Sequence, residues 1–291
     1  MTNEVEPPEL STDDMLVVDD DRFSSENVAL VTGAASGIGR ATALVLAENG
    51  LTVVGTDVDE EGLAETRTRA EDLGVEGTLE TVAGDLREDV PEIVDSAAEY
   101  GNIALLANVA GMQHIDAIEE FPMEAYDRMQ EVMVRAPVEL AKECLPRMRE
   151  TGFGCVGNMA SVHGHYVTSD KVAYNVAKFG IRGLTQSIAA EGGTGGEGGK
   201  EGDDADIRAF SVSTGYVKTP LVTDQIPDTA EQRGISVQEV VEDVMLGQSR
   251  TKEMMTPAEV ANLFVFGFSK HASHLNGGDL RFDDGMTLTY E

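Results

Sequence analysis

A chain of 291 residues, 41% of them hydrophobic, is long enough for one large α/β domain with a sizeable core. No apolar run approaches the roughly 18 residues of a membrane-spanning helix. The 53 acidic residues against 21 basic give a net charge of −32, a field that repels nucleic acid and anionic membranes.

Residues 1–26 are acidic, with Asp13-Asp14 and Asp19-Asp20-Asp21, and read as a solvated arm. They contain no apolar core of signal-peptide type, so a cytoplasmic location is expected. The domain proper is read as 27–291. An apolar run at 28–31 leads into Thr32-Gly33-Ala34-Ala35-Ser36-Gly37-Ile38-Gly39: a buried strand, then a tight turn. Helical periodicity follows at 40–49, with Gly50 as a stop. Strands are expected at 52–57, 81–85, 103–107, 154–159, 207–212 and 280–282. Helices are expected at 60–73, at 124–150 with an interruption at Pro137, and at 173–190, 236–249 and 257–269. The alternation predicts a single doubly wound Rossmann domain, with a parallel seven-stranded sheet and helices on both faces. The Gly- and acid-rich stretch 191–206 reads as a surface insertion, with a domain linker as the alternative.

The acids are spread along the chain and only seven of the basic residues are lysines. That pattern resembles proteins from a high-salt cytoplasm, where screening removes most self-repulsion. An acidic interaction surface would need a concentrated run. Cys144 and Cys155 are the only cysteines, too few for a disulfide framework and without zinc spacing, so a reduced compartment fits.

Gly33, Gly37 and Gly39 stand at i, i+4 and i+6. Between a strand and a helix, such glycines let backbone approach a pyrophosphate, and the helix N-terminus offers N–H groups and a positive dipole. Ser36 and Ile38 share that turn. Asp57 ends the second strand, placed to accept both ribose hydroxyls of a dinucleotide and to repel a 2′-phosphate. Ser36 is uncharged and the turn carries no Arg or Lys, so NAD is expected over NADP. Asp85, with Leu86 beside it, ends the third strand, where it can take the adenine amino group. Asn108, Ala110 and Gly111 end the fourth strand, where the cofactor ribose would lie.

Tyr174 and Lys178 are i and i+4 on one predicted helix and share a face. An ammonium beside a phenol favours the phenolate, lowering Tyr174 from about 10 toward working pH. Tyr174 then takes the alcohol proton as hydride leaves. Ser161, after the fifth strand, can hydrogen-bond the same oxygen.

Thr32-Gly33-x3-Gly37-x-Gly39, Asn108-x-Ala110-Gly111, Ser161 and Tyr174-x3-Lys178 together resemble the short-chain dehydrogenase/reductase family over roughly 27–288. The resemblance implies one Rossmann domain, no metal in the chemistry, and a Lys178 that also holds the nicotinamide ribose. It adds cofactor contacts at Gly215, Val217 and Thr219. It also implies a homotetramer built partly on the helices around 124–150 and 173–190. Finer matches resemble the 3-hydroxybutyrate dehydrogenases: Gly111-Met112-Gln113-His114, Ala160-Ser161-Val162-His163-Gly164, Tyr216-Val217-Lys218-Thr219-Pro220 and Gln225-Ile226. In that group a substrate carboxylate is gripped at positions that fall on Gln113, His163, Lys171 and Gln225. One cation and three polar donors suit a short carboxylate. The segment 215–255 then forms a lid over cofactor and substrate. A relative acting on another carbonyl, such as an acyl thioester or a sugar, would make Lys171 and His163 incidental.

Four departures stand out. Met133 replaces the family's relay Asn in the long helix, which slows turnover more than it abolishes it and opens a third reading, a weakened NAD-binding protein. Val109 replaces an Asn, Thr214-Gly215 replaces Pro-Gly, and Asp283-Asp284-Gly285 replaces Asp-Gly-Gly.

Overall fold

The computed structural model describes residues 8–192 and 205–287. The apolar run after Asn27 makes β1 (Asn27–Thr32) a strand buried on both faces. Its side chains alternate: Ala29 and Val31 join one core, Val28 and Leu30 the other. The remaining strands are β2 (Thr52–Asp57), β3 (Thr78–Ala83), β4 (Asn102–Asn108), β5 (Phe153–Met159), β6 (Asp206–Thr214) and β7 (Asp279–Phe282). All seven pair in parallel, in the order β3-β2-β1-β4-β5-β6-β7. The order reverses between β1 and β4, which opens a crevice at the carboxyl ends of the strands.

Helices cover both faces, as the alternation predicts. α1 (Gly37–Glu48) lies on one. α2 (Glu60–Leu73) follows β2, with Asp59 capping its first turn. α3 (Val90–Ala98), to which the sequence reading assigns no element, buries Val90, Ile93, Val94 and Ala97 on the opposite face. Pro91 in its first turn, and that apolar spacing, were its signal.

The long helix is continuous. α4 (Met123–Gln130) runs through a π-helical turn (Glu131–Arg135) into α5 (Ala136–Thr151). Pro137 has no N–H for the carbonyl of Met133, four residues back, and the wider turn absorbs the defect without ending the helix. α6 (Val172–Gly192) packs beside α5.

From Gly215 to Met255 the chain makes an excursion above the sheet. It holds α7 (Pro220–Thr223), α8 (Gln225–Arg233), α9 (Val237–Glu239) and a π-helical turn (Val240–Met245), where the sequence predicts one helix over 236–249. Ile226, Ala230, Val240, Met245, Leu246 and Met254 give it a small core of its own. Its two ends are stapled together: Met255 N–H donates to the Tyr216 carbonyl at 3.0 Å, and Lys218 N–H to the Met255 carbonyl at 2.8 Å.

α10 (Pro257–Phe268) returns to pack against α1 and the sheet. Its C-terminal end rests on Arg208 of β6, a side chain only 2% exposed. Arg208 donates to the carbonyls of Gly267 and Phe268 at 2.8 Å, and of Ala272 and Ser269 at 3.1 Å. The guanidinium satisfies acceptors that a helix end leaves open.

Residues 8–26 are not a solvated arm. Met15 and Phe23 are buried in the core with α1 and α10. Asn262 accepts from Leu16 N–H and donates to the Asp14 carbonyl, and Asn49 does the same for Val18 and Leu16. Burial of Asp20 is outweighed by hydrogen bonds from Arg22 and the Lys270 N–H, and its carboxyl falls to about 2. Two apolar anchors among many acids explain the difference. Residues 193–204 of the predicted insertion lie outside the described residues. Among the described residues, no helix is long and apolar enough to cross a membrane.

Candidate active site

At the end of β1 the chain turns tightly under the end of β4. Gly33 has φ +72, and a Cβ there would come within 2.9 Å of the Ala110 backbone. A Cβ on Gly39 would meet the Gly33 carbonyl oxygen at 2.0 Å. Thr32 Oγ1 locks the two strand ends by accepting from the N–H groups of Val109 and Ala110. Ser36 makes no side-chain cap to α1, so the first N–H groups of that helix stay available. This is a cradle for an anionic group.

Ser36, Gly37, Ile38 and Gly39 line a cavity of about 580 Å3. Asp57, Asp85, Leu86, Ala110, Gly111, Gly215, Val217 and Thr219 share its wall, as do Ser161, Tyr174 and Lys178. Asp57 accepts from the N–H groups of Ala35 and Asp59, both at 3.2 Å. Asp85 is gripped by Arg87, whose Nε lies 3.0 Å from each carboxylate oxygen, and this holds its carboxyl below the usual range. Arg87 and Arg128 both line the cavity, which the turn's own sequence does not reveal, and each is paired with an acid, Asp85 and Glu124. Asn108 stands behind the wall: its amide donates to Asn158, which donates to Thr185.

Tyr174 and Lys178 share one face of α6, and the Lys178 Nζ lies 5.3 Å from the phenol ring centre. Lys178 is buried and donates to the Met159 carbonyl at 2.8 Å. Ser161 lies close enough to the Tyr174 hydroxyl to favour its ionised form. His163 N–H donates to Ser161 Oγ at 3.2 Å, and its Nδ1 lies 3.4 Å from the same oxygen. Burial dominates the electrostatics. It brings Lys178 down to about 8. It takes His163 down to about 3, with Lys171 and Lys178 adding to the effect, so the imidazole is neutral. It pushes Tyr174 up, and Ser161 only partly offsets this. The expected lowering of the phenol by Lys178 is not found: burial raises Tyr174, and the opposing effect comes from Ser161.

The four predicted carboxylate-gripping residues are not part of that cavity wall. The His163 ring stands edge-on to Tyr174, 5.6 Å between centres, and its Nε2 is 3.0 Å from Thr168 Oγ1. Lys171 follows Asp170, which sits at φ +64, and its Nζ lies 5.8 Å from the Tyr216 ring centre. Burial lowers Lys171 to about 8. Gln225, opening α8, donates from Nε2 to Gln113 Oε1 at 3.5 Å. Thr168 was not singled out in the sequence, and Tyr216 stood there only as part of a motif without a role: both reach the site through loops, without local periodicity to mark them.

Met133 is buried among Phe121, Ala173 and Ala177, its sulfur near Gly111. It presents no polar side-chain group between α6 and the β4 loop. Asp284 occupies φ +51 where the family pattern has Gly. Its carboxylate accepts from Thr251 N–H at 2.6 Å and from the Ser249 hydroxyl, tying down the end of the excursion. A wider cleft of about 1740 Å3 between the excursion and the C-terminal segment is lined by Lys218, Leu246 and Asp284, among others, and contains none of Ser161, Tyr174 and Lys178. Among the described residues, no group of three or more His, Cys, Asp and Glu could hold a metal ion.

Comparison with known proteins agrees with this geometry. The model of the short chain dehydrogenase family matches residues 27–230. A D-beta-hydroxybutyrate dehydrogenase of Rhizobium meliloti is 34% identical over 267 residues, covering 89% of this chain and 98% of that protein. One of the same name from Cupriavidus necator is 30% identical, covering 88% and 96%. A solved actinorhodin polyketide ketoreductase variant with NADPH superposes with a TM-score of 0.83 at 25% identity, over 93% of this chain and 100% of that one. Family members are oxidoreductases that use nicotinamide cofactors. On fold, on motif and on sequence, the chain belongs to the short-chain dehydrogenase/reductase family.

Proposed function

We propose that the protein interconverts a short hydroxy acid, 3-hydroxybutyrate in the first place, and its ketone with NAD as cofactor. The observation that carries this reading is the meeting of Ser161, Tyr174 and Lys178 in the same cavity as the glycine turn, with His163 against Tyr174, Lys171 beside Tyr216 and Gln113 paired with Gln225.

The open N-terminus of α1 and the Gly33–Gly39 turn would hold the pyrophosphate, Asp57 the adenosine ribose, and Asp85 with Leu86 the adenine. Gly215, Val217 and Thr219 would bracket the nicotinamide end, beside Asn108, Ala110, Gly111 and Lys178. Asp57 supports NAD over NADP, because its carboxylate faces the ribose end of the cavity and both cavity arginines are already paired. Nicotinamide, when bound, supplies the acceptor for the hydride of the alcohol carbon. Tyr174 takes the hydroxyl proton, and Ser161 holds the oxygen while it changes from alcohol to ketone. Lys178, close to 8, stabilises the phenolate as it forms and passes the proton on. His163, neutral, orients Ser161 and offers a hydrogen bond, not a charge, to the substrate acid.

Two observations favour narrower alternatives. Met133 supports a catalytically weakened NAD-binding protein, and the likeness to a polyketide ketoreductase supports another carbonyl substrate. The charge of −32 with seven lysines supports a high-salt cytoplasm, and exposed Val138, Val176 and Phe179 on α5 and α6 support a homotetramer. The test is formation of reduced nicotinamide in molar KCl with each enantiomer of 3-hydroxybutyrate, for the native chain and Tyr174→Phe. Turnover with one enantiomer that the variant loses is the expected result. Cofactor binding without turnover of either enantiomer would overturn it.

A further inference from the structure

Ser161 is one link in a chain of polar contacts that begins and ends on α6. His163 N–H donates to Ser161 Oγ at 3.2 Å, and the ring Nδ1 lies 3.4 Å from the same oxygen. The other ring nitrogen, Nε2, lies 3.0 Å from Thr168 Oγ1. The Thr168 carbonyl in turn accepts from Asn175 Nδ2 at 3.0 Å. Asn175 is the residue after Tyr174, and Ser161 lies close to the Tyr174 hydroxyl. Two consecutive residues of α6 thus anchor the two ends of one circuit through Ser161, His163 and Thr168.

A ring fixes its neighbour only if it is itself fixed. His163 is 4% exposed and neutral, so one ring nitrogen donates and the other accepts. The ring packs edge-on to Tyr174 and beside Tyr166, with centres 5.6 Å and 5.5 Å away. Packing alone does not tell a ring nitrogen from a ring carbon of nearly the same size. Turned over, the ring would set C–H groups against Ser161 and Thr168 and strand its buried nitrogens. Of its two side-chain contacts the one to Thr168 is the shorter, and so the stronger anchor.

Thr168 is exposed, in a stretch between Gly164 and Val172 that has no helix or strand. Asn175 gives it a tie to a rigid helix. That tie leaves the Asn175 Oδ1 buried with no hydrogen-bond partner. An amide kept for stability alone would not strand that oxygen.

Resting on the reading that Ser161 holds the reacting oxygen, we propose that Thr168 and Asn175 are positioning residues of this site: Asn175 fixes Thr168, Thr168 fixes the His163 ring, and the ring sets the Ser161 hydroxyl against Tyr174 and the substrate oxygen.

The test compares the native protein with Thr168→Val, Thr168→Ser and Asn175→Leu, and repeats Thr168→Val in a His163→Ala background. The readouts are steady-state kinetics with NAD and 3-hydroxybutyrate, Tm, and the nitrogen NMR signals of the His163 ring in histidine-labelled protein, assigned by their loss in His163→Ala. In Thr168→Val kcat should fall about tenfold with the KM for NAD unchanged, and Thr168→Ser should restore it to within about twofold. Asn175→Leu should lower kcat while its Tm equals or exceeds the native value, an opposition that a merely structural residue would not give. Thr168→Val should shift the ring signals, and in the His163→Ala background it should cost nothing further. An unchanged kcat, unmoved ring signals, or an equal loss with and without His163 overturns the proposal and leaves the dehydrogenase reading standing. Should the native protein turn over neither enantiomer, the spectra decide. Ring signals that move in Thr168→Val, Asn175→Leu and Tyr174→Phe support the circuit without the reaction. Signals that any one of the three leaves unmoved overturn it.

Discussion

The side-chain amides of Gln113 and Gln225 meet at 3.5 Å although 112 residues separate them, joining the loop after β4 to the first residue of α8. In that pairing Gln113 offers its oxygen, and its Nε2 is left buried with no hydrogen-bond partner. An unpaired buried donor costs about 1–3 kcal/mol. Gln113→Met removes that cost together with a donor that the proposed function assigns to the substrate carboxylate. We expect its Tm to be equal to or above the native value while the KM for the hydroxy acid rises about tenfold. A lower Tm with unchanged KM, by calorimetry and steady-state kinetics, would sink the assignment.

The pH dependence follows from Lys171. Its folded value of about 8 lies below the ordinary 10.5, so it is charged below 8 and loses its charge as pH rises through that point. The KM for an acid substrate should therefore climb above pH 8, and the KM for a neutral ester should stay flat. Stability moves the other way: between about 8 and 10.5 the unfolded chain binds more protons at this site, so the Lys171 contribution grows with pH. His163, at about 3, is neutral throughout the assay range and adds no step near its ordinary 6.5. A KM step near 6.5 would contradict this.

Arg208 makes a prediction about stability alone. Replacing it by Met strands the carbonyls of Gly267, Phe268, Ser269 and Ala272 beneath α10. We expect a loss of roughly 3–5 kcal/mol in guanidinium unfolding at fixed salt. Because the residue is remote from Tyr174, kcat of the folded fraction should hold. A loss under about 1 kcal/mol would mean that the helix end finds other donors.

Met133→Asn tests whether the thioether limits turnover. The variant places an amide in the π-helical turn beside α6, at a cost of about 1–3 kcal/mol for burying it. We expect kcat to rise at least severalfold while Tm drops. An unchanged kcat would show that the relay already runs without a side chain at this position.

Much of the site was legible because its spacing is local. Tyr174 and Lys178 share a face through helix geometry alone, and the glycines at 33, 37 and 39 follow from one turn. The β-strands were legible for the same reason, being short apolar runs between turn residues. What stayed hidden depends on distant partners. Nothing near Arg208 in sequence shows that it underlies α10, and nothing near Met15 or Phe23 announces that they join the same core as residues of α1 and α10. The protonation states also stayed hidden. Spacing said that Lys178 stands beside Tyr174, but only burial decides that the phenol rises.

The staple between Tyr216–Lys218 and Met255 has an evolutionary corollary. Because the chain leaves and returns at one paired point, everything between is a cassette with its own apolar centre, tied elsewhere by contacts such as those with Asp284 and Gln113. Such a cassette can lengthen, shorten or be exchanged without disturbing the register of any strand. The glycine turn and the Tyr174–Lys178 pair lie wholly outside it, so the choice of substrate can drift while the chemistry is inherited intact. Grafting residues 219–253 from a relative of different taste onto this paired point would be a direct way to transplant specificity.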